Sequence, residues 1–207
     1  MKTVIKNYER KDLFDLYNNR VNPFSFVTIK LDITKAYNYS RKHKNLYALL
    51  CYTFAHAMNR VDAFKYRVEN GEIVKYDEIN PSYTEMLDTN DVSFICCKLG
   101  NSFEEFLEYN EKAKEKFKNT QAPVFFEEED CGEVWFSCTP WFKFTSVVPP
   151  FDPSITIPQM LWDKYEIVDG HVYINTLIMA HHGFVDGYHI GKLIEYINEE
   201  LNNINED

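Results

Sequence analysis

The chain has 207 residues, 45% of them hydrophobic and 16% aromatic, which is enough apolar surface for one sizeable core. Its formal charge of −10 lacks the dominant basic field that a nucleic-acid binder needs. No window approaches the roughly 18 apolar residues of a membrane span, and the lysine-bearing start, MKTVIKNYERKD, has no apolar signal stretch, so a soluble, cytoplasmic protein is expected.

In chain order, residues 24–33, FSFVTIKLDI, alternate apolar and polar as a half-buried strand does. Residues 46–59 place Leu46, Leu49, Leu50, Thr53, Phe54, Ala57 and Met58 at helical spacing. Residues 72–77 and 92–99 read as strands, and Ser102 with Glu105 forms a capping box before the helix FEEFLEYNEKAKEKF. FEEEDCG at 126–132 reads as an acidic, solvated turn rather than a metal site. Residues 133–138 form a strand ending at Thr139–Pro140, and the prolines at 149, 150, 153 and 158 mark an irregular stretch. Residues 172–180, VYINTLIMA, are a buried strand that runs into His181 and His182. Beyond Gly187, Ile190, Leu193, Ile194, Ile197 and Leu201 recur at helical intervals.

No repeat, low-complexity tract or linker divides the chain, so residues 1–207 are read as a single domain. Strands and helices that mix without regular βαβ alternation predict an α+β fold with a mixed, largely antiparallel sheet. The five cysteines, Cys51, Cys96, Cys97, Cys131 and Cys138, are odd in number and contain no CxxC pair. Cys96 and Cys97, adjacent on a strand, point to opposite faces, so these residues are expected to be free thiols of a reducing compartment.

The chemistry-bearing stretch is HHGFVDGYH, residues 181–189, at a strand-to-helix bend. A metal site there would need His182, Asp186 and His189 aligned on a continuous helix, which Gly183 and Gly187 oppose, so no metal is expected. A structural cluster is one reading of the three histidines. The other is catalysis: a neutral imidazole titrates near working pH and can take a proton from an alcohol, provided its other nitrogen is held by a hydrogen bond.

His181-His182-x-x-x-Asp186-Gly187-x-His189 resembles the HHxxxDGxH signature of the chloramphenicol acetyltransferase family. The resemblance continues through KNYERKDLFDLYNNR, residues 6–20, with Arg10 and Tyr17 in matching positions. It includes FSFVTIKLDIT, FAHAMNRVDAFKYRV, Ser137-Cys-Thr-Pro140-Trp141 and Lys164-Tyr165. It implies a two-layer α/β sandwich, a homotrimer with active sites between subunits, and acetyl transfer from acetyl-CoA to a small hydroxyl acceptor through a ternary complex. By position, His182 is the implied general base, Ser137 the oxyanion donor, and Asp186 with Arg10 the pair that holds the loop. Lys164 and Tyr165 would lie by the CoA arm and Tyr17 by the acceptor. His189 is expected to be structural, with a ring nitrogen bonded to a local carbonyl.

The chain departs from the family at the acceptor. Leu161 stands where a threonine is usual, Val92 where a phenylalanine is usual, and Leu16 replaces an aromatic beside Tyr17. A leucine cannot hold the water a threonine could, so the chloramphenicol pocket is expected to be altered. Two alternatives follow: an acyltransferase with another alcohol or a thiol acceptor, as in dihydrolipoyl acyltransferases, and a trimeric binding module without turnover.

Overall fold

The computed structural model describes residues 1–43, 45–124 and 131–205. In chain order the elements are β1 (Lys2–Val4), α1 (Lys11–Asn18), β2 (Phe24–Asp32), α2 (Thr34–His43) and α3 (Leu46–Asn59). A 3₁₀ turn at Asp62–Lys65 leads into β3 (Tyr66–Glu69), β4 (Glu72–Tyr76), β5 (Ile79–Met86), β6 (Val92–Cys96) and α4 (Phe103–Thr120). Then come β7 (Gly132–Thr139), β8 (Gln159–Asp163), β9 (Glu166–Val168), β10 (His171–His181) and α5 (Gly187–Asn203). Part of the acidic stretch at 126–132, residues 126–130, lies outside the described residues; Gly132 already belongs to β7.

The main sheet runs β2-β10-β8-β7-β5-β6, with β9 paired to β10, and a smaller sheet runs β1-β4-β3. Only β5–β7 and β7–β8 are parallel among the named strand pairs, so the mixed, largely antiparallel sheet expected from the sequence is what forms. Two hairpins close through Asn70-Gly71 and Asp169-Gly170, each with both residues at positive φ. This geometry matches the right-handed strand twist and favours Asn-Gly and Asp-Gly.

One face of the main sheet carries Phe136, Met160, Trp162 and Ile178 and is covered by α3, which α2, α4 and α5 flank. Phe54 of α3 is fully buried and meets Trp162 edge-on at 5.5 Å between ring centroids. Helices over one sheet face give the two-layer sandwich. α2 has one buried residue, Ala36. At α4, Ser102 accepts from the Glu105 amide as expected, but the Glu105 carboxylate bonds the Asn101 amide rather than that of Ser102, so only half of the capping box forms. The proline-bearing stretch 140–158 is irregular, and its Phe151 meets Phe24 and Phe26 of β2.

None of the five cysteines is in a disulfide among the described residues; Cys51, Cys96 and Cys97 are buried. Among the described residues, no helix is long and apolar enough to cross a membrane.

Candidate active site

β10 ends at His181, and the chain turns back on itself, with the amides of Phe184 and Val185 both donating to the His181 carbonyl. Gly183 makes this turn possible by close approach: a Cβ there would sit 2.9 Å from the Phe14 ring and 3.0 Å from His181 Cε1. Gly187 has open space around it and opens α5, so no steric need explains it.

The two adjacent histidines have opposite fates. His181 is 2% exposed and packed among Phe14, Phe24 and Phe184. Its Nδ1 accepts from the Gly183 amide, which puts the proton on Nε2, an atom with no partner in the structure. Burial, and secondarily the neighbouring His182, lowers its pKa to about 4, so it stays neutral. His182 is half-buried. Its amide donates to the Pro23 carbonyl, 2.7 Å away, and its Nδ1 lies 3.0 Å from the Val185 carbonyl. A carbonyl only accepts, so Nδ1 carries the hydrogen, and in the neutral tautomer this selects, Nε2 bears the lone pair. Tyr17 of α1 lies against the ring, with centroids 4.0 Å apart.

Asp186 caps α5: its Oδ1 accepts from the amides of Tyr188 and His189, and its Oδ2 lies 2.6 Å from an Arg10 guanidinium nitrogen. The other Arg10 terminal nitrogen donates to the Phe184 carbonyl. Arg10 thereby ties the N-cap of α1 to both ends of the bend. Burial opposes ionisation of Asp186, but His189 when it is protonated, Arg10 and the two helix amides outweigh it and hold its pKa below the ordinary carboxylate value. His189 is local in its bonding, but not as expected. Its Nδ1 accepts from the Asp186 amide at 3.2 Å and completes a capping box, rather than donating to a carbonyl.

The remaining site residues lie elsewhere. Ser137 on β7 pairs in register with Leu161 on β8, which pairs with Leu177 on β10. This row lies on the face opposite α3. On its other side, Ser137 meets Thr84 of β5, with hydroxyl oxygens 3.2 Å apart. Phe94 pairs with Thr84 and Val92 with Met86, so Val92 shares this face and is 55% exposed. Leu16 is exposed on α1 beside Tyr17.

Lys164 and Tyr165 line a crevice of about 380 Å³ on the helix-covered side, with Tyr47, Cys138, Trp162 and Asp163. Burial pushes the Cys138 thiol up to about 11. Asp163, 2% exposed, accepts from the Phe144 amide and from the backbone and side chain of Asn175, which anchors the loop after Pro140 to β10.

The chain therefore forms a His182–Tyr17–Leu16 group near the Arg10–Asp186 tie, and a Ser137–Leu161–Val92 group on the sheet face. It does not bring the two together. Five residues separate Leu177 from His182 along β10, and two strand spacings separate β10 from β7, which gives roughly 19 Å between Ser137 and His182 within one chain. Sequence reasoning missed Thr84, Asp163 and Cys138. Their roles arise from strand neighbours, which local patterning does not reveal. Among the described residues, no group of three or more His, Cys, Asp or Glu is placed to hold a metal ion.

The family model for chloramphenicol acetyltransferase matches residues 1–198. A chloramphenicol acetyltransferase of Bacillus pumilus is 27% identical over 202 residues, covering 95% of this chain and 91% of that protein. One of Campylobacter coli is 27% identical, covering 97% and 98%. A solved chloramphenicol acetyltransferase structure superposes with a TM-score of 0.81 at 22% identity, covering 97% of this chain and all of that one. The dihydrolipoamide acetyltransferase of Azotobacter vinelandii shares the fold with a TM-score of 0.69 at 12% identity, covering 94% and 86%. The family model covers nearly the whole chain, and the chain belongs to the chloramphenicol acetyltransferase family, a family of acyltransferases.

Proposed function

We infer that this single-domain protein transfers acetyl from acetyl-CoA to a hydroxyl of chloramphenicol or a related small alcohol. The carrying observation is the state of His182: Nδ1 is engaged by the Val185 carbonyl, so Nε2 is a lone-pair acceptor on a half-buried ring. In this reading Nε2 takes the acceptor's proton as the acceptor oxygen bonds the acetyl carbon. Ser137 donates to the oxyanion that develops, the carbon–sulfur bond breaks, and the proton passes from His182 to the CoA sulfur. Arg10 and Asp186 hold the bend and do not touch the imidazole.

Acetyl-CoA is a co-substrate here. Lys164 supplies a cation for its phosphates and Tyr165 an exposed ring face, at the mouth of the apolar crevice. Because Ser137 and His182 lie roughly 19 Å apart in one chain, the site is completed between protomers, in a homotrimer, with His182 of one subunit facing Ser137 of the next. Such an enzyme in the cytoplasm would give its cell resistance to the antibiotic.

Acetyl-CoA consumption with chloramphenicol and a panel of small alcohols tests the assignment. His182→Ala at full activity would end it, and binding of CoA without turnover would leave only a binding module. A second reading, another alcohol or a thiol acceptor, draws on the apolar Leu161 beside Ser137 and the exposed Val92. Comparing chloramphenicol with dihydrolipoamide as acceptors separates the two.

A further inference from the structure

Ser137 lies between two strands, and its neighbours on them differ in kind. Leu161 on β8 offers no hydrogen bond; Thr84 on β5 offers a hydroxyl 3.2 Å away. Either oxygen can carry the bridging hydrogen. A serine hydroxyl has one proton, and if Ser137 gave it to Thr84 it would have none for an oxyanion. The reverse order leaves that proton free: Thr84 donates to Ser137, and Ser137 donates outward. Hydrogen bonds in such a chain strengthen one another, because accepting a proton makes an oxygen's own O–H a better donor.

We propose that Thr84 is a positioning residue, whose hydroxyl donates to Ser137 and both aims and strengthens Ser137 as the oxyanion donor. The proposal rests on the reading of Ser137 given above. It assigns the polar support of the oxyanion to β5, on the far side of Ser137 from Leu161. Thr84 is half-buried on a strand hydrogen-bonded on both edges, so its side chain is set by the sheet and not by a mobile loop.

The test is a double-mutant cycle of Thr84→Val and Ser137→Ala, with kcat and KM measured for acetyl-CoA and acceptor. Thr84→Val should lower kcat about five- to tenfold with KM changed less than about twofold, and Thr84→Ser should restore it. In the Ser137→Ala background Thr84→Val should have no further effect. An equal loss in both backgrounds, or none in either, overturns the proposal. If Ser137→Ala itself leaves kcat unchanged, the oxyanion reading fails instead. A readout independent of turnover is the thiol titration of Ser137→Cys, followed by thiolate absorbance as a difference spectrum against the parent. Thr84 should hold that thiol's pKa about one unit lower than it lies in Ser137→Cys/Thr84→Val. Equal titration of the two would also overturn the proposal.

Discussion

If the active site forms between protomers, two dead chains should rescue each other. Within one chain, Ser137 and His182 are separated by five residues along β10 and two strand spacings, roughly 19 Å, far beyond hydrogen-bond reach of a common reacting centre. A homo-oligomer of His182→Ala lacks every base, and loss of a general base lowers the rate about 10²- to 10⁴-fold. A homo-oligomer of Ser137→Ala lacks every oxyanion hydroxyl, at about 10²-fold or more. Co-assembled at random in equal amounts, about one quarter of the sites in a cyclic trimer receive His182 from one chain and Ser137 from its neighbour. Mixed oligomers alone carry about one intact site in three, so their activity should be about a third of the parent's, well over tenfold above either variant alone. The two variants would be co-expressed with different affinity tags, mixed oligomers recovered by sequential purification, and acetyl-CoA consumption measured. Activity no higher than the mean of the two variants would refute the reasoning.

Four further outcomes follow. Asp186→Asn keeps a good N-cap and removes the partly exposed ion pair with Arg10, so it should destabilise by less than about 1 kcal/mol, whereas Asp186→Ala should lose about 1 kcal/mol more; thermal melts separate them. Because the Asp186 pKa lies below its ordinary value, the stability it adds is present at neutral pH and lost only as pH falls through that lowered value; acid melts of the parent and Asp186→Asn should diverge above that range and converge below it. His181 is neutral when folded, with its pKa lowered from 6.5 to about 4, so the unfolded chain takes up the extra proton and stability should fall as pH drops from 6.5 towards 4. Denaturant midpoints of His181→Asn, which keeps an acceptor for the Gly183 amide, should show a flatter slope in that window. Cys138, with its thiol pushed up to about 11, should alkylate slowly at neutral pH and more slowly still with CoA present, as peptide mass mapping can show.

The sequence settled what local patterning can settle. Periodicity placed α3 at residues 46–59, the apolar run 172–180 placed β10, and the change of period after Gly187 placed α5. The histidine motif located the bend, and the Asp186–Arg10 pair expected from the family resemblance is present at 2.6 Å. The motif could not say which histidine is sealed among phenylalanines and which keeps a free nitrogen, because that depends on Phe14 and Tyr17 arriving from α1. Nor could it pair Thr84 with Ser137, 53 residues apart, or separate Ser137 from His182 by a strand. A strand's sequence records which face is buried, since that is a period-two signal along the chain. Its neighbours are chosen by pairing between distant segments, so only the tertiary structure decides which hydroxyls meet and which cannot.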